Sequence, residues 1–152
     1  MFRGLNSINM DEKGRITIPS RYRDLIDEHA EGACVVTIDT EQRCLLLYPQ
    51  PAWEEIEKKL ENLPSFNAAS RRIQRLLIGH ATEIEMDRNG RILLPPLLRE
   101  YASLDKLVML VGQGKKFEIW GESQWNMARD GWLADDLGDE DNLPEQLKDL
   151  SL

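Results

Sequence analysis

Two arginines, Arg15 and Arg91, hold equivalent places in a motif that the chain carries twice. The first copy runs Asp11-Glu12-Lys13-Gly14-Arg15-Ile16-Thr17-Ile18-Pro19, and the second runs Asp87-Arg88-Asn89-Gly90-Arg91-Ile92-Leu93-Leu94-Pro95. A guanidinium group is planar, permanently charged and carries its N–H donors in a fixed fork, which suits a phosphate or the edge of a guanine. The doubled motif is therefore where we expect the chemistry of this chain.

Asp11 and Asp87 open the two copies. A short carboxylate at such a place commonly braces a turn by accepting hydrogen bonds from backbone N–H groups, and we assign the two aspartates this role. In the structural interpretation, Arg15 and Arg91 only form ion pairs with them. In the functional interpretation, the arginines project outward and bind an anion, with Lys13 and Arg88 in the turns adding charge. The motif alone leaves both interpretations open.

Alternating apolar residues around each motif predict a β-hairpin with one buried face. Gly14 and Gly90 supply the turns, and Asn89-Gly90 is a strong signal because both residues tolerate the positive φ of a tight hairpin turn. Arg15 and Arg91 then point away from the core. The buried face should consist of Ile8, Met10, Ile16 and Ile18 in the first copy, and of Ile84, Met86, Ile92 and Leu94 in the second.

After each hairpin the sequence predicts a short helix and then two strands. The first helix should be capped by Ser20. Residues 112–116 contain two glycines and two lysines but lack the spacing of a phosphate-binding loop, so we predict a hairpin turn there. Amphipathic patterns predict helices that contain Trp53, residues 66–77 and Trp125. The strands should be Ala33–Ile38, Cys44–Tyr48, Leu107–Val111 and Phe117–Trp120.

These elements predict an α+β fold with a mainly β core and flanking amphipathic helices. A repeat of about 76 residues is near the lower limit for independent folding, so the halves should pack on each other or on other copies. We place the first repeat and its closing helix at 1–63. The linking helix, the second repeat and its closing helix follow at 64–134, and an acidic mobile tail follows at 135–152.

The charge is unevenly distributed along the chain. The net charge is −8, and the segment from residue 118 to 152 alone holds ten acidic residues against two basic ones. The remainder is neutral overall, and the stretch from Arg71 to Arg99 carries six arginines against three acids. A local basic surface that binds an anionic partner is thus compatible with the acidic total.

Other function classes lack their usual sequence features. We find no catalytic motif and no cysteine pair at zinc spacing, and His29 and His80 lie far apart without ligand partners nearby. Cys34 and Cys44 are expected to be buried, reduced thiols. No apolar run reaches the length of a membrane span, and the beginning of the chain lacks the apolar core of a signal peptide. We therefore predict a cytoplasmic, non-catalytic protein without metal, cofactor or small-molecule substrate.

The doubled motif, each copy followed by an arginine at Arg23 or Arg99, resembles the MraZ family of AbrB-like swapped-hairpin barrels. The opening Phe2-Arg3-Gly4, Leu47-Tyr48-Pro49 and the arginine-rich helix before the second motif extend the similarity to nearly the whole chain. The resemblance implies that the two halves interleave into a β-barrel, an intrachain pseudo-dimer that single-copy relatives build from two chains.

The resemblance also implies a function. It suggests a sequence-specific transcriptional regulator that forms ring-shaped homo-oligomers, associates with the nucleoid and binds short direct repeats in double-stranded promoter DNA. Such regulators generally repress their own promoter in the bacterial gene cluster for cell division and cell-wall synthesis. The alternative is a protein-interaction or scaffold ring that binds an acidic partner, and the negative net charge keeps that alternative open.

The family's Asp-x-x-x-Arg motif falls on Asp11 with Arg15 and on Asp87 with Arg91. With the resemblance added, Arg15 and Arg91 become the expected contacts to a DNA groove. The expected phosphate contacts are Lys13, Arg88 and Arg3.

Overall fold

The computed structural model describes residues 1–135 and 143–151. The chain divides into two compact units, Met1–Glu122 and Ser123–Leu152. Much of the predicted acidic tail at 135–152 lies outside the described residues, namely 136–142 and 152. Among the helices that the structure describes, none has both the length and the apolar character required to cross a membrane.

The first unit contains all the described strands. They are β1 (Phe2–Asn9), β2 (Arg15–Thr17), β3 (Ala33–Ile38), β4 (Leu45–Pro49), β5 (Thr82–Glu85), β6 (Arg91–Leu93), β7 (Leu107–Gly114) and β8 (Phe117–Gly121). Its helices are α1 (Ser20–Ala30), α2 (Gln50–Glu61), α3 (Ala68–His80) and α4 (Pro96–Tyr101). The helices α5 (Glu122–Ala134) and α6 (Glu145–Lys148) follow.

The strands form a six-stranded antiparallel sheet and a separate two-stranded ribbon. The sheet has the order β1-β7-β8-β4-β3-β5, and the ribbon pairs β2 with β6. Strands of the two repeats are interleaved in this order, because β1 pairs with β7, β4 with β8 and β5 with β3. The predicted α+β class with a mainly β core is confirmed. No ladder between described strands closes the sheet into a barrel.

The predicted local hairpins differ from the observed pairing. Each motif does form a turn, but β2 pairs with β6 of the other repeat, and β1 continues along β7, where the Met10 N–H donates to the Lys106 carbonyl at 2.7 Å. The physical reason is that an alternating pattern specifies which face of a strand is buried, not which strand lies beside it. Both repeats offer the same pattern, so a partner in the other repeat satisfies it equally well.

The ribbon packs against one face of the six-stranded sheet. Ile16, Ile18, Ile92 and Leu94 are each at most 1% exposed and belong to the larger hydrophobic cluster. That cluster also contains the inward side chains of α1 and α4 and alternate residues of the sheet: Tyr22, Ile26, Leu98, Val36, Leu45, Leu47 and Ile119. The opposite face of β3 and β4 is covered by α2 and α3 through a second cluster that contains Val35, Leu46, Tyr48, Trp53 and Leu60.

Two details of the helices differ from the sequence prediction. Ser20 does not cap α1, because Pro19 occupies the N-cap position and no side-chain hydrogen bond closes the helix end. Phe66 lies before α3 instead of on its apolar face and is fully exposed, because Asn67 caps that helix by accepting a hydrogen bond from the Ser70 N–H at 3.0 Å. Cys34 and Cys44 are buried free thiols.

The position of Ile16 opposite Ile92 at the centre of the ribbon generates a stability prediction. Ile16→Ala and Ile92→Ala should each lower the free energy of unfolding by about 2–5 kcal/mol, because each removes a fully buried side chain and leaves a cavity. Leu93→Ala is the matched control, since Leu93 is 53% exposed and should change stability by less than about 0.5 kcal/mol. Equal effects of all three substitutions in chemical denaturation would contradict the packing of the ribbon.

Candidate functional site

Each motif folds into a three-residue hairpin loop that ends in glycine. In the first loop the Gly14 N–H donates to the Asp11 carbonyl at 3.0 Å and the Asp11 N–H donates to the Arg15 carbonyl at 3.0 Å. The second loop repeats this pattern between Asp87 and Arg91. Gly14 and Gly90 have φ values of 91° and 76°, which L side chains rarely adopt. Asn89 has no positive φ, contrary to the tight turn predicted for it, because the loop contains three residues and only the last needs that conformation.

The side chain of Asp11 organises the first loop. Its Oδ1 accepts hydrogen bonds from the backbone N–H groups of Lys13 and Arg15 at 3.0 and 2.8 Å, and its Oδ2 accepts one from Arg15 Nε at 2.7 Å. The three bonds hold the pKa of Asp11 below its ordinary value, and the Arg15 backbone N–H makes the largest contribution. One carboxylate thereby fixes both the loop backbone and the direction of the arginine.

The second loop has the same arrangement. Asp87 Oδ1 accepts from the N–H groups of Asn89 and Arg91, both at 2.9 Å, and Oδ2 accepts from Arg91 Nε at 3.0 Å. The pKa of Asp87 is lowered, again chiefly by the backbone N–H of the arginine. Equivalent residues therefore make equivalent bonds in two loops whose tips differ in sequence.

The ion pairs use only one edge of each guanidinium. Arg15 and Arg91 donate to their aspartates through Nε, and no described residue accepts a hydrogen bond from their terminal nitrogens. Each arginine therefore retains four N–H donors for a ligand. The structural and functional interpretations of these arginines are thus compatible, because the pairing orients each fork without occupying its outer edge.

The ribbon places both arginines on one face. Arg15 pairs with Leu93 and Thr17 pairs with Arg91 across the β2–β6 ladder, and the central pair Ile16 and Ile92 points into the core. Side chains alternate across a strand, so Arg15, Thr17, Arg91 and Leu93 share the outer face of the ribbon. Arg15 and Arg91 are diagonal neighbours, which places their Cα atoms about 7–8 Å apart. Both side chains are about one-third exposed.

The other predicted phosphate contacts divide into two groups. Lys13 and Arg88 are exposed at the tips of the two loops, which lie beyond opposite ends of the ribbon. Arg3 lies elsewhere, because it pairs with Gln113 near the beginning of β1. Six residues of extended strand separate Arg3 from the end of β1 at Asn9, a distance of about 20 Å. The structure thus brings Lys13 and Arg88 near the paired arginines and leaves Arg3 apart from the first loop.

Two further arginines contact the loops, and the sequence analysis gave them no role. Arg99 lies against Gly14, so that a Cβ added to this glycine would be 2.5 Å from Arg99 Cζ, and Arg23 lies against Gly90 in the same way. Each donates through Nε to a carbonyl of its own repeat, Arg99 to Leu94 at 3.0 Å and Arg23 to Ile18 at 2.7 Å. Arg23 and Arg99 lie 76 residues apart, as the equivalent residues of the two motifs do, and this spacing marks them in the sequence as equivalent residues of the two repeats. Their contacts with the loops join different repeats and are not evident from the sequence.

The comparisons with known proteins agree with this duplicated architecture. The family described as "MraZ protein, putative antitoxin-like" matches the chain twice, over residues 1–76 and 77–131. The chain belongs to the MraZ family. Proteins named "Transcriptional regulator MraZ" from Coxiella burnetii (strain RSA 493 / Nine Mile phase I), Legionella pneumophila (strain Corby) and Halorhodospira halophila (strain DSM 244 / SL1) are 68%, 55% and 52% identical to it. Each match covers 100% of both chains.

A group of potential metal ligands lies at β3, β4 and β8 of this MraZ chain. Ligand atoms of Asp39, Cys44 and Glu118 lie within 4.8 Å of one another. Burial raises the pKa of Cys44 and that of Glu118, which favours a neutral thiol and a neutral acid, whereas a thiol must ionise to bind a metal. The thiol lies 3.8 Å from Asp39 Oδ2, and Glu118 accepts a hydrogen bond from Trp120 Nε1 at 2.9 Å. Internal hydrogen bonding accounts for these contacts.

The bracing of the loops generates a pH prediction. In a titration followed by carboxyl ¹³C NMR, Asp11 and Asp87 should both titrate below the ordinary value of 3.8. Because the pKa is lowered in the folded state, the stability that each brace contributes is present above the unfolded value and is lost as the pH falls through the folded value. Arg15→Lys should raise the pKa of Asp11 part of the way, since the backbone N–H bonds remain, and should leave Asp87 unchanged. An Asp11 that titrates at 3.8 in the wild type would contradict the bracing.

Proposed function

We propose that this MraZ family member is a transcriptional regulator without catalytic activity, which binds double-stranded DNA through the outer face of the β2–β6 ribbon. The observation that carries the proposal is the placement of Arg15 and Arg91 on that face, where no described residue accepts a hydrogen bond from their terminal nitrogens. The name of the relatives, "Transcriptional regulator MraZ", supports the assignment.

The dimensions of the ribbon suit a DNA major groove. The groove is about 12 Å wide and admits a two-stranded β-ribbon. Two guanidinium forks at about 7–8 Å from each other can reach base edges in neighbouring steps, and a fork that binds both O6 and N7 of guanine provides sequence discrimination. We assign Arg15 and Arg91 to these contacts.

Lys13 and Arg88 are assigned to the phosphates that flank the groove, where charge fixes position without reading sequence. Arg3 remains a proposed phosphate contact. Its distance from the first loop means that it would have to meet a part of the duplex other than the one at that loop.

We further propose that the repeats are swapped hairpins of an AbrB-like barrel, in which 1–63 and 64–134 form the two interleaved halves and 135–152 forms an acidic mobile tail. The interleaving of strands from the two repeats in both the sheet and the ribbon supports this arrangement. It also supplies both DNA-binding loops from one chain.

The proposed assembly is a ring of identical copies that binds direct repeats in promoter DNA. One ribbon makes few phosphate contacts, so one copy binds weakly, whereas linked copies on repeated sites gain about 10²- to 10⁴-fold through effective concentration. The acidic C-terminal segment opposes non-specific adhesion to DNA. In the cell the protein would act in the cytoplasm at the nucleoid, as an autoregulatory repressor of the division and cell-wall gene cluster.

Removal of either ribbon arginine tests the DNA contact. Arg15→Ala and Arg91→Ala should each weaken binding to a promoter fragment with direct repeats by about 5- to 150-fold, which corresponds to the loss of one bidentate contact of about 1–3 kcal/mol. Arg71→Ala is the matched control, because Arg71 is an exposed arginine on α3, which covers the sheet face opposite the ribbon. Fluorescence anisotropy at two salt concentrations measures both effects.

If the Arg15 and Arg91 variants bind as tightly as the wild type, the ribbon is not the DNA-binding face. If the intact wild-type oligomer binds no DNA, a ring that captures an acidic protein partner becomes the better account.

The number of repeats tests the multivalent mechanism. Fragments with one, two and four repeats should be bound with rising affinity, because each added repeat engages another copy of the same oligomer. A scrambled fragment of equal length controls for length alone. Equal affinity for one repeat and for four would contradict binding by linked copies.

A further inference from the structure

The loop glycines lie at the two ends of the ribbon, and each is covered by an arginine from the other repeat. The Leu94 N–H donates to the Gly14 carbonyl at 2.9 Å, and the Ile18 N–H donates to the Gly90 carbonyl at 2.7 Å, so both glycines extend the ladder beyond β2 and β6. Arg99 lies against Gly14 and Arg23 lies against Gly90. The second repeat thus supplies a cation to the end of the ribbon that holds the first loop, and the first repeat supplies one to the other end.

The hydrogen bonds of Arg23 and Arg99 leave most of their donors unused. Each guanidinium donates through Nε to a backbone carbonyl, and no described residue accepts a bond from its terminal nitrogens. No described acid forms an ion pair with either arginine. Both residues are half-buried, where an uncompensated charge costs more than it does in open solvent. In each site, therefore, no described carboxylate forms an ion pair with the guanidinium.

The surroundings of Arg99 offer space and a second cation. Arg99 and Lys13 line one cavity of about 420 Å³, which lies at the first loop beside Leu93, Leu94 and Pro95. Glu83 and Glu85 also line this cavity, but neither carboxylate forms an ion pair with the two cations. An anion that entered the cavity would meet a guanidinium fork and an ammonium group beside the two carboxylates.

The distance between the two loop glycines is close to the width of a DNA major groove. Gly14 precedes Arg15 at one end of the ladder, and Gly90 lies opposite Ile18 at the other end. The two glycines are therefore separated by four residue steps along the ribbon, from position 14 to position 18. This corresponds to about 14 Å. The major groove is about 12 Å wide. A ribbon centred over the groove, with its strands running across the width, therefore has its two ends near the two phosphate backbones.

We propose that Arg23 and Arg99 are phosphate-binding residues, one at each end of the ribbon. They bind phosphates of the two backbones of the duplex, while Arg15 and Arg91 face the groove between them. The inference rests on the proposed function and adds two contacts to it. Each bound phosphate would accept hydrogen bonds from the terminal nitrogens, and the Nε bond to the carbonyl would keep the fork in place.

The salt dependence of DNA binding tests this inference. Each neutralised phosphate contributes about 0.9 to the slope of log affinity against log salt concentration. Arg99→Gln and Arg23→Gln remove the charge while keeping an amide that can donate to the carbonyl, so each should make the slope per bound protomer shallower by about 0.9. Between 50 and 200 mM salt, the wild type should then lose about 3.5-fold more affinity than either variant.

Two controls separate charge from structure. Arg99→Lys keeps the charge and should keep the slope of the wild type, whereas Arg71→Gln removes an arginine of α3 and should leave the slope unchanged. Weaker binding by Arg99→Gln and Arg23→Gln with an unaltered slope would overturn the proposal, because it would mean that these arginines only support the loops.

A measurement on the wild-type protein avoids any loss of folding in the variants. Arginine-selective labelling read by mass spectrometry should show that DNA protects Arg23 and Arg99 and does not protect Arg71. Equal labelling of Arg23 and Arg99 with and without DNA, while Arg15 and Arg91 become protected, would overturn this inference and leave the proposed function standing. A wild type that binds no DNA would overturn both.

Discussion

The pairing of β2 with β6 is the interaction on which the rest of the structure depends. The ladder is symmetric about Ile16 and Ile92, which are equivalent residues of the two repeats and lie opposite each other. Equivalent residues of the two repeats, such as Arg15 and Arg91, therefore lie at mirrored positions on either side of this central pair. Burial of the central isoleucines determines which face is inward, and the same alternation places Arg15 and Arg91 on the outward face.

The two loops convert this symmetry into a fixed arrangement of charge. An exposed ion pair contributes little to stability, so the pairing of Asp11 with Arg15 is better understood by what it orients than by its energy. The carboxylate binds the Nε edge and two backbone N–H groups, and it leaves the outer edge of the guanidinium for a ligand. A preorganised fork loses less conformational entropy on binding than a free side chain would. Local placement of a few cations in this way holds guanidinium donors at fixed places on an acidic protein.

The elements of the fold could be predicted well from the sequence, and their partners less well. The strands after each short helix were identified because runs such as Ala33–Ile38 are apolar and bounded by turn residues. The buried faces at Ile16 and Ile92 followed from alternation alone. The partner of β2 did not, because two copies of one pattern make the local and the exchanged pairings equivalent at the level of sequence.

Within the site, the types of residue were predictable but several contacts were not. The motif identified the aspartates, glycines and arginines of both loops, and the family resemblance supplied the hypothesis of DNA contact. The contacts of Arg23 with Gly90 and of Arg99 with Gly14 join residues that lie 67 and 85 positions apart, so no local pattern reveals them. The prediction for Phe66 was wrong for a different reason, since Asn67 caps the N-terminus of α3 and the helix begins only after Phe66.

The central claim is that the outer face of the ribbon meets DNA. A cryo-electron microscopy structure of the wild-type protein on a duplex with direct promoter repeats tests it most directly. The account predicts that β2 and β6 lie over a groove, with the terminal nitrogens of Arg15 and Arg91 within hydrogen-bonding distance of base edges or phosphates. A complex in which this face is turned away from the duplex, or is covered by another copy of the chain, would contradict it.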